Sequence, residues 1–261
     1  MSYLVTTYHD TCDTFFDHFV KITPLIKNNF EKAFVSVTPK ALETSPKSIS
    51  FLKNDSFYVL LLNEKDSLIG DHFNNSFKLA LKSTKPDDHL HLCTLDRLAF
   101  ALQDNFKDVF LEDVKEAQKK KYVTLFERSE YAWKTHPKNY QAIESMCSEL
   151  GKVLFGVSLD YAWCHITLRS ADLNAIIDKL DSRSLIIFAQ LVYELKDKIK
   201  TKKVDWLSWE DPYIFGKNHK EYKLERELSL DENRKRLDYI LPMIDYLLNK
   251  YQENLRLSTR S

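Results

Sequence analysis

The segment Asp87-Asp88-His89-Leu90-His91-Leu92-Cys93-Thr94-Leu95-Asp96-Arg97 reads as a short apolar strand that ends in a carboxylate and a guanidinium. In open α/β sheets, ligands collect at the carboxyl ends of strands. There Asp96 could hold a metal ion or accept a hydrogen bond from a ribose or sugar hydroxyl. Arg97 beside it could meet a phosphate. The competing reading is structural: Thr94 caps a helix, and Asp96 sits in its favourable first turn.

Three further clusters follow other strand-like runs. Thr7-Tyr8-His9-Asp10 closes the first. Tyr8 could stack on a base, and Asp10 could accept from a ribose or an amide. An ordinary turn with Asp10 as a cap would use the same residues. Glu127-Arg128-Ser129-Glu130-Tyr131-Ala132-Trp133-Lys134-Thr135-His136-Pro137 packs two acids, an Arg, a His and two aromatics into one short loop. Trp133 could stack on a sugar ring. Glu130 or Glu144 could act as general base, because deprotonating a hydroxyl needs a carboxylate or imidazole in reach. The plainer alternative is a polar loop with a structural Trp. Asp205-Trp206-Leu207-Ser208-Trp209-Glu210-Asp211-Pro212 brings two Trp and three acids to another end. Core packing is the commoner use of Trp, and a turn before Pro212 would also employ Glu210 and Asp211. His165 and Arg169 follow a further run, where a lone His is most simply structural.

The elements that must position these groups alternate. Strand-like runs at 3–8, 33–38, 57–62, 90–94 and 122–126 are separated by helical periodicity at 14–28, 41–53, 70–83 and from 96. Phe-Tyr-Val-Leu-Leu-Leu at 57–62 is apolar throughout, as expected of a strand buried on both faces. This rhythm predicts an α/β fold with a mostly parallel, doubly wound sheet. Further on, helices are expected at 139–155, after Ser170 and at 185–199, with strands at 159–164 and 204–209. The tail at 230–257 reads as one long amphipathic helix. Leu237, Ile240, Leu241, Ile244, Leu247, Leu248, Tyr251 and Leu255 share its apolar side, and Pro242 interrupts it. We expect a main domain over 1–215 and a helical extension over 216–261 that could carry a homodimer contact.

Composition narrows the function. Lys plus Arg and Asp plus Glu are both 38, so the formal net charge is zero and no overall pull toward nucleic acid is expected. With 4 glycines, the chain has neither G-x-G-x-x-G nor G-x-x-x-x-G-K-[ST]. Cys12, Cys93, Cys147 and Cys164 form no C-x-x-C pair, as expected of thiols in a reducing compartment. No apolar run is long enough to span a membrane. Nor does the start resemble a signal peptide. A cytoplasmic location is expected.

Taken together, an early strand closing in Tyr-His-Asp, one closing in Leu-Asp-Arg, one followed by Arg-Ser-Glu-Tyr-Ala-Trp-Lys-Thr-His-Pro, and the later Trp-Glu-Asp-Pro resemble a little-characterised group of glycosyltransferase-like proteins. The resemblance covers residues 3–212. It implies a GT-A-type nucleotide-sugar fold, in which an Asp-x-Asp motif at a strand end binds a divalent metal (Mn or Mg) and the sugar diphosphate. Asp96 matches the second acid and would be the metal ligand. Thr94 stands where the first acid would be, which puts the metal in question. The resemblance implies that Thr7, Tyr8, Asp10, Asp96 and Arg97 hold the nucleotide and diphosphate. Trp133 and His136 would border the sugar or acceptor, and Glu130, Glu144 or Asp211 would supply the catalytic carboxylate. The expected reaction is glycosyl transfer from a nucleoside diphosphate sugar to a hydroxyl acceptor. One rival is a non-catalytic nucleotide-sugar binder or scaffold on the same fold. Another is a metal-dependent hydrolase or nucleotidyltransferase using Asp96 with Glu127, Glu130 or Asp211.

Overall fold

The computed structural model describes residues 1–163 and 165–258. Seven strands form one sheet: β1 (Ser2–Tyr8), β2 (Ala33–Val37), β3 (Tyr58–Leu62), β4 (His89–Thr94), β5 (Val123–Arg128), β6 (His165–Arg169) and β7 (Ile199–Val204). Their order is β3-β2-β1-β4-β6-β5-β7. All described pairings are parallel except those of β6, which runs antiparallel between β4 and β5. The sheet is therefore mostly parallel, as the alternation predicts.

Thirteen helices appear in chain order among the described residues. They are α1 (Phe16–Asn29), α2 (Pro39–Thr44), α3 (Pro46–Lys53), α4 (Ile69–Leu81), α5 (Leu95–Ala101), α6 (Lys107–Ala117), α7 (Glu130–Thr135), α8 (Lys138–Phe155), α9 (Ser170–Asn174), α10 (Ile186–Leu195), α11 (Asp211–Ile214), α12 (His219–Leu228) and α13 (Leu230–Ser258). Phe19, Ile22 and Ile26 of α1, Leu52 of α3, Leu98 of α5 and Phe110 of α6 pack into one core cluster. Phe73 and Phe77 of α4, Cys147 of α8, Ile187 of α10 and Met243 of α13 belong to the other. Alternate strand residues supply both clusters: Leu4 and Val35 one, Val5 and Phe34 the other. The chain steps outward from β1 to β2 and β3, returns through α4, and resumes on the far side of β1 with β4. A switch point in strand order therefore lies between β1 and β4, where open α/β sheets form a crevice.

The last two strands differ from expectation. The strand expected at 159–164 lies instead at His165–Arg169. Leu159, Tyr161 and Trp163 are buried like strand residues, but they fill the core from a loop. Cys164 lies outside the described residues. β7 comes earlier than the expected 204–209 run. Its sequence, Ile-Lys-Thr-Lys-Lys-Val, leaves Lys200, Thr201 and Lys203 exposed on an edge strand, where lysines discourage unwanted pairing. Asp205–Leu207 forms a 3-10 turn that tucks in Trp206 and Leu207. The helix expected at 41–53 is two, divided at Ser45-Pro46.

α13 is a wall of the fold. It buries Ile240, Met243 and Leu247, while Leu241, Leu248 and Leu255 remain 50%, 39% and 47% exposed. The pairs Tyr140–Glu232, Glu144–Arg236 and Cys147–Ile240 show α8 and α13 running parallel. No described helix is long and apolar enough to cross a membrane.

Candidate active site

The loop after β1 places Asp10. Cys12 and Asp13 adopt positive φ angles of 61° and 54°, a costly conformation for non-glycine residues. Asp13 compensates by accepting hydrogen bonds from the Lys47 and Ser48 amides and the Ser48 hydroxyl at the start of α3. Asp10 accepts from the Tyr8 hydroxyl and the Phe15 amide, both at 3.1 Å. The Tyr8 ring is buried and packs on Phe19 with centroids 5.6 Å apart, so its face is already occupied. Burial pushes the Tyr8 hydroxyl strongly toward its neutral form.

At the end of β4, Asp96 lies exposed in the first turn of α5, where its Oδ1 accepts from the Arg97 amide at 2.8 Å. The Arg97 guanidinium turns inward. Its Nη1 donates to His136 Nε2 at 3.3 Å and to the Ser208 carbonyl at 3.4 Å, and it forms an ion pair with Glu210. His136 donates from Nδ1 to the Ala132 carbonyl at 2.9 Å, leaving Nε2 as acceptor for Arg97. Burial, then Arg128 and Arg97, hold this imidazole neutral.

Glu210 is fully enclosed. Burial raises its carboxyl to about 8; Arg97 opposes the shift, while Asp211 and Asp96 add to it. Its Oε2 touches Arg97 as a charge partner without hydrogen-bond geometry. Burial also raises Asp211, against Arg97 and with Asp96. These carboxyls share one electrostatic neighbourhood. A group with pKa near neutrality suits proton transfer.

A cavity of about 570 Å³ opens over this rim. Thr7, Tyr8 and Asp10 line it from β1, Thr94, Asp96 and Arg97 from β4 and α5, and Glu210 and Asp211 from the segment after β7. Arg226, Lys235 and Arg236 close it from α12 and α13. A third wall is apolar and includes Phe73, Trp163, Phe188 and Met243. Gly70 permits that wall to form: a Cβ there would lie 2.3 Å from the Ser182 carbonyl oxygen. The Gly70 amide donates to the Arg183 carbonyl, joining the start of α4 to the turn before α10.

The loop after β5 is arranged differently. Arg128 is buried between Glu144 and Asp160, with Nη2 2.9 Å from Asp160 Oδ2, and its guanidinium lies 3.6 Å from the Trp133 ring centroid. Glu144 lines the cavity, yet Oε2 meets Arg128 and Oε1 meets Arg236 at 2.8 Å. Burial works against its charge, but the two guanidiniums prevail and keep it ionised. Trp133 and His136 stand behind the cavity without lining it. Glu130 is on the exposed side of α7, paired with Lys134 at 2.6 Å. Glu127 accepts from the Asp160 amide, and burial, with Asp160, raises it to about 7.

The structure thus gathers Thr7, Tyr8, Asp10, Asp96, Arg97, Glu144 and Asp211 at one cavity, and leaves Glu130, Trp133 and His136 off its surface. The sequence reading missed Arg226, Lys235 and Arg236, whose only signal is the mixed charge of a surface-like helix. Among the described residues, Asp96, Glu210 and Asp211 do not converge as three ligand atoms. The cluster that does is His91, Cys93 and His165, with ligand atoms within 4.8 Å of one another. His91 Nε2 and His165 Nδ1 are 2.9 Å apart, and burial lowers His91 to about 3. Nitrogen and sulfur donors suit zinc or copper and do not suit Mn or Mg.

No protein-family model matches the chain. No curated protein matches it significantly either. The functional reading therefore rests on sequence pattern and geometry.

Proposed function

We propose that the protein binds a nucleoside diphosphate sugar in the rim cavity and transfers its glycosyl group to a hydroxyl acceptor. The observation that carries this reading is the meeting of Asp10 after β1 with Asp96 and Arg97 after β4, on one cavity at the switch point. The mostly parallel sheet, ordered β3-β2-β1-β4-β6-β5-β7, supports the reading by placing that cavity at the carboxyl ends of β1 and β4. Sugar and ribose hydroxyls would donate to Asp10, Asp96 and Asp211, and phosphate oxygens would face the cations. In the transfer, the acceptor oxygen bonds to the anomeric carbon as the bond to the diphosphate oxygen breaks. The hydroxyl proton passes to a carboxylate, and the charge moves to the diphosphate. Asp211, on the cavity wall, would take that proton. Glu144 already commits both oxygens to arginines, so it shapes the wall.

A panel of uridine- and guanosine-diphosphate sugars tests this by turnover and calorimetry. Asp96→Ala should weaken donor binding at least about tenfold without changing the melting temperature, since Asp96 is exposed. Asp211→Asn should lower turnover by about a hundredfold or more while donor affinity holds. Failure of every donor to bind would end the reading. Tight binding with no turnover would favour the non-catalytic binder, which Thr94 in the motif's first position already recommends.

A further inference from the structure

A metal at the rim would need acids that this chain does not converge. Thr94 replaces one, and Asp96 Oδ1 already accepts from a backbone amide. Glu210 and Asp211 hold protons more tightly than ordinary carboxyls. The only converging trio among the described residues is the His91, Cys93, His165 group in the core. The rim therefore does not fit a resident Mn or Mg ion.

The opposite wall is cationic. Arg226 is hydrogen-bonded to Glu232 and to the Tyr222 hydroxyl, and Arg236 lies over the Tyr140 ring at 3.8 Å. The Nε–H groups of both arginines are buried without a protein acceptor, as is the indole N–H of Trp163 on the same cavity. Arg226, Lys235 and Arg236 nevertheless all line the cavity, and together they make this wall positive. Lys235, exposed on α13, adds a mobile charge at the mouth. Guanidinium and ammonium groups are strong partners for phosphate oxygens.

We propose that Arg226, Lys235 and Arg236 of the C-terminal helices bind the ligand's diphosphate and make donor binding independent of a divalent metal. This rests on the sugar-nucleotide reading above. The acid rim then receives hydroxyls, the helix wall receives phosphate, and the residues after the sheet region become part of the site.

The test is calorimetry of the full chain with inorganic pyrophosphate, uridine diphosphate and guanosine diphosphate, once in EDTA and once with added manganese. Pyrophosphate and at least one nucleotide should bind in EDTA, with affinity within about threefold of that in manganese. Lys235→Ala and Arg226→Gln should each weaken that binding about tenfold and flatten its salt dependence, with unchanged melting temperature in Lys235→Ala. Lys235→Arg should retain it. Binding that vanishes in EDTA and returns with manganese would overturn the proposal while keeping the sugar-nucleotide reading. Unchanged affinity in both Lys235→Ala and Arg226→Gln would do the same. Absence of binding by all three ligands in both buffers would remove the reading and the proposal together.

Discussion

Arg97 and Arg128 stand at the ends of β4 and β5, two strands separated by β6, each among acids and near His136. Arg128 is sealed: two carboxylates hold its nitrogens, and an indole covers its face. Arg97 holds Glu210, His136 and the Ser208 carbonyl while lining the cavity. The same residue types thus make a structural pin in one place and a cavity-lining group in the other. What separates them is that the cavity reaches Arg97 and not Arg128, and sequence spacing does not report that difference.

The comparison can be broken most forcefully at Arg128. Its removal leaves Asp160 buried without its guanidinium partner, while Glu144 keeps Arg236. Arg128→Met should lose about 3–5 kcal/mol in urea unfolding, because an uncompensated buried charge is the expensive outcome. A loss below about 1 kcal/mol would show that the pin is not holding the loop.

A smaller effect should appear at Glu210, on the Arg97 side. Its carboxyl is raised from 4.5 to about 8 on folding. The folded state therefore holds the proton more tightly than the unfolded one. The resulting stability is fully present below the unfolded value and declines as pH rises, until it levels off above about 8. Glu210→Gln should match the parent's melting temperature near pH 4 and exceed it by several degrees near pH 9. Parallel melting curves for the two proteins across that range would mean that Glu210 stays charged in the fold.

Least of all should change at Glu130, whose side chain only meets Lys134 in solvent. Glu130→Ala should leave melting temperature and any turnover as they were. A marked fall in turnover would return the β5 loop to the site.

Much of the sheet was legible because its strands are continuous apolar runs. Ala-Phe-Val-Ser-Val is an inner strand buried throughout, whereas Tyr-Val-Leu-Leu-Leu, expected to be buried on both faces, forms the edge strand β3 and leaves Leu62 42% exposed. β7 was misplaced for the converse reason: three lysines in six residues obscure a strand whose outer edge meets water. β6 was displaced because Leu159, Tyr161 and Trp163 are buried as deeply as strand residues without joining a ladder. In the site, Asp10, Asp96 and Arg97 were legible because each follows directly on a strand. Arg226, Lys235 and Arg236 were not, since their approach depends on how α12 and α13 fold back across more than two hundred residues. Glu130 shows the opposite error, a carboxylate in a promising loop that points away.

One hydrogen atom at residue 70 has an outsized effect on the apolar lining. Because the turn before α10 rests directly on bare backbone there, the Phe73 and Phe188 rings meet edge to face with centroids 4.7 Å apart. A methyl at that point would act as a wedge, prising the two rings apart. The seal between α4 and α10 is thus set by an absent side chain.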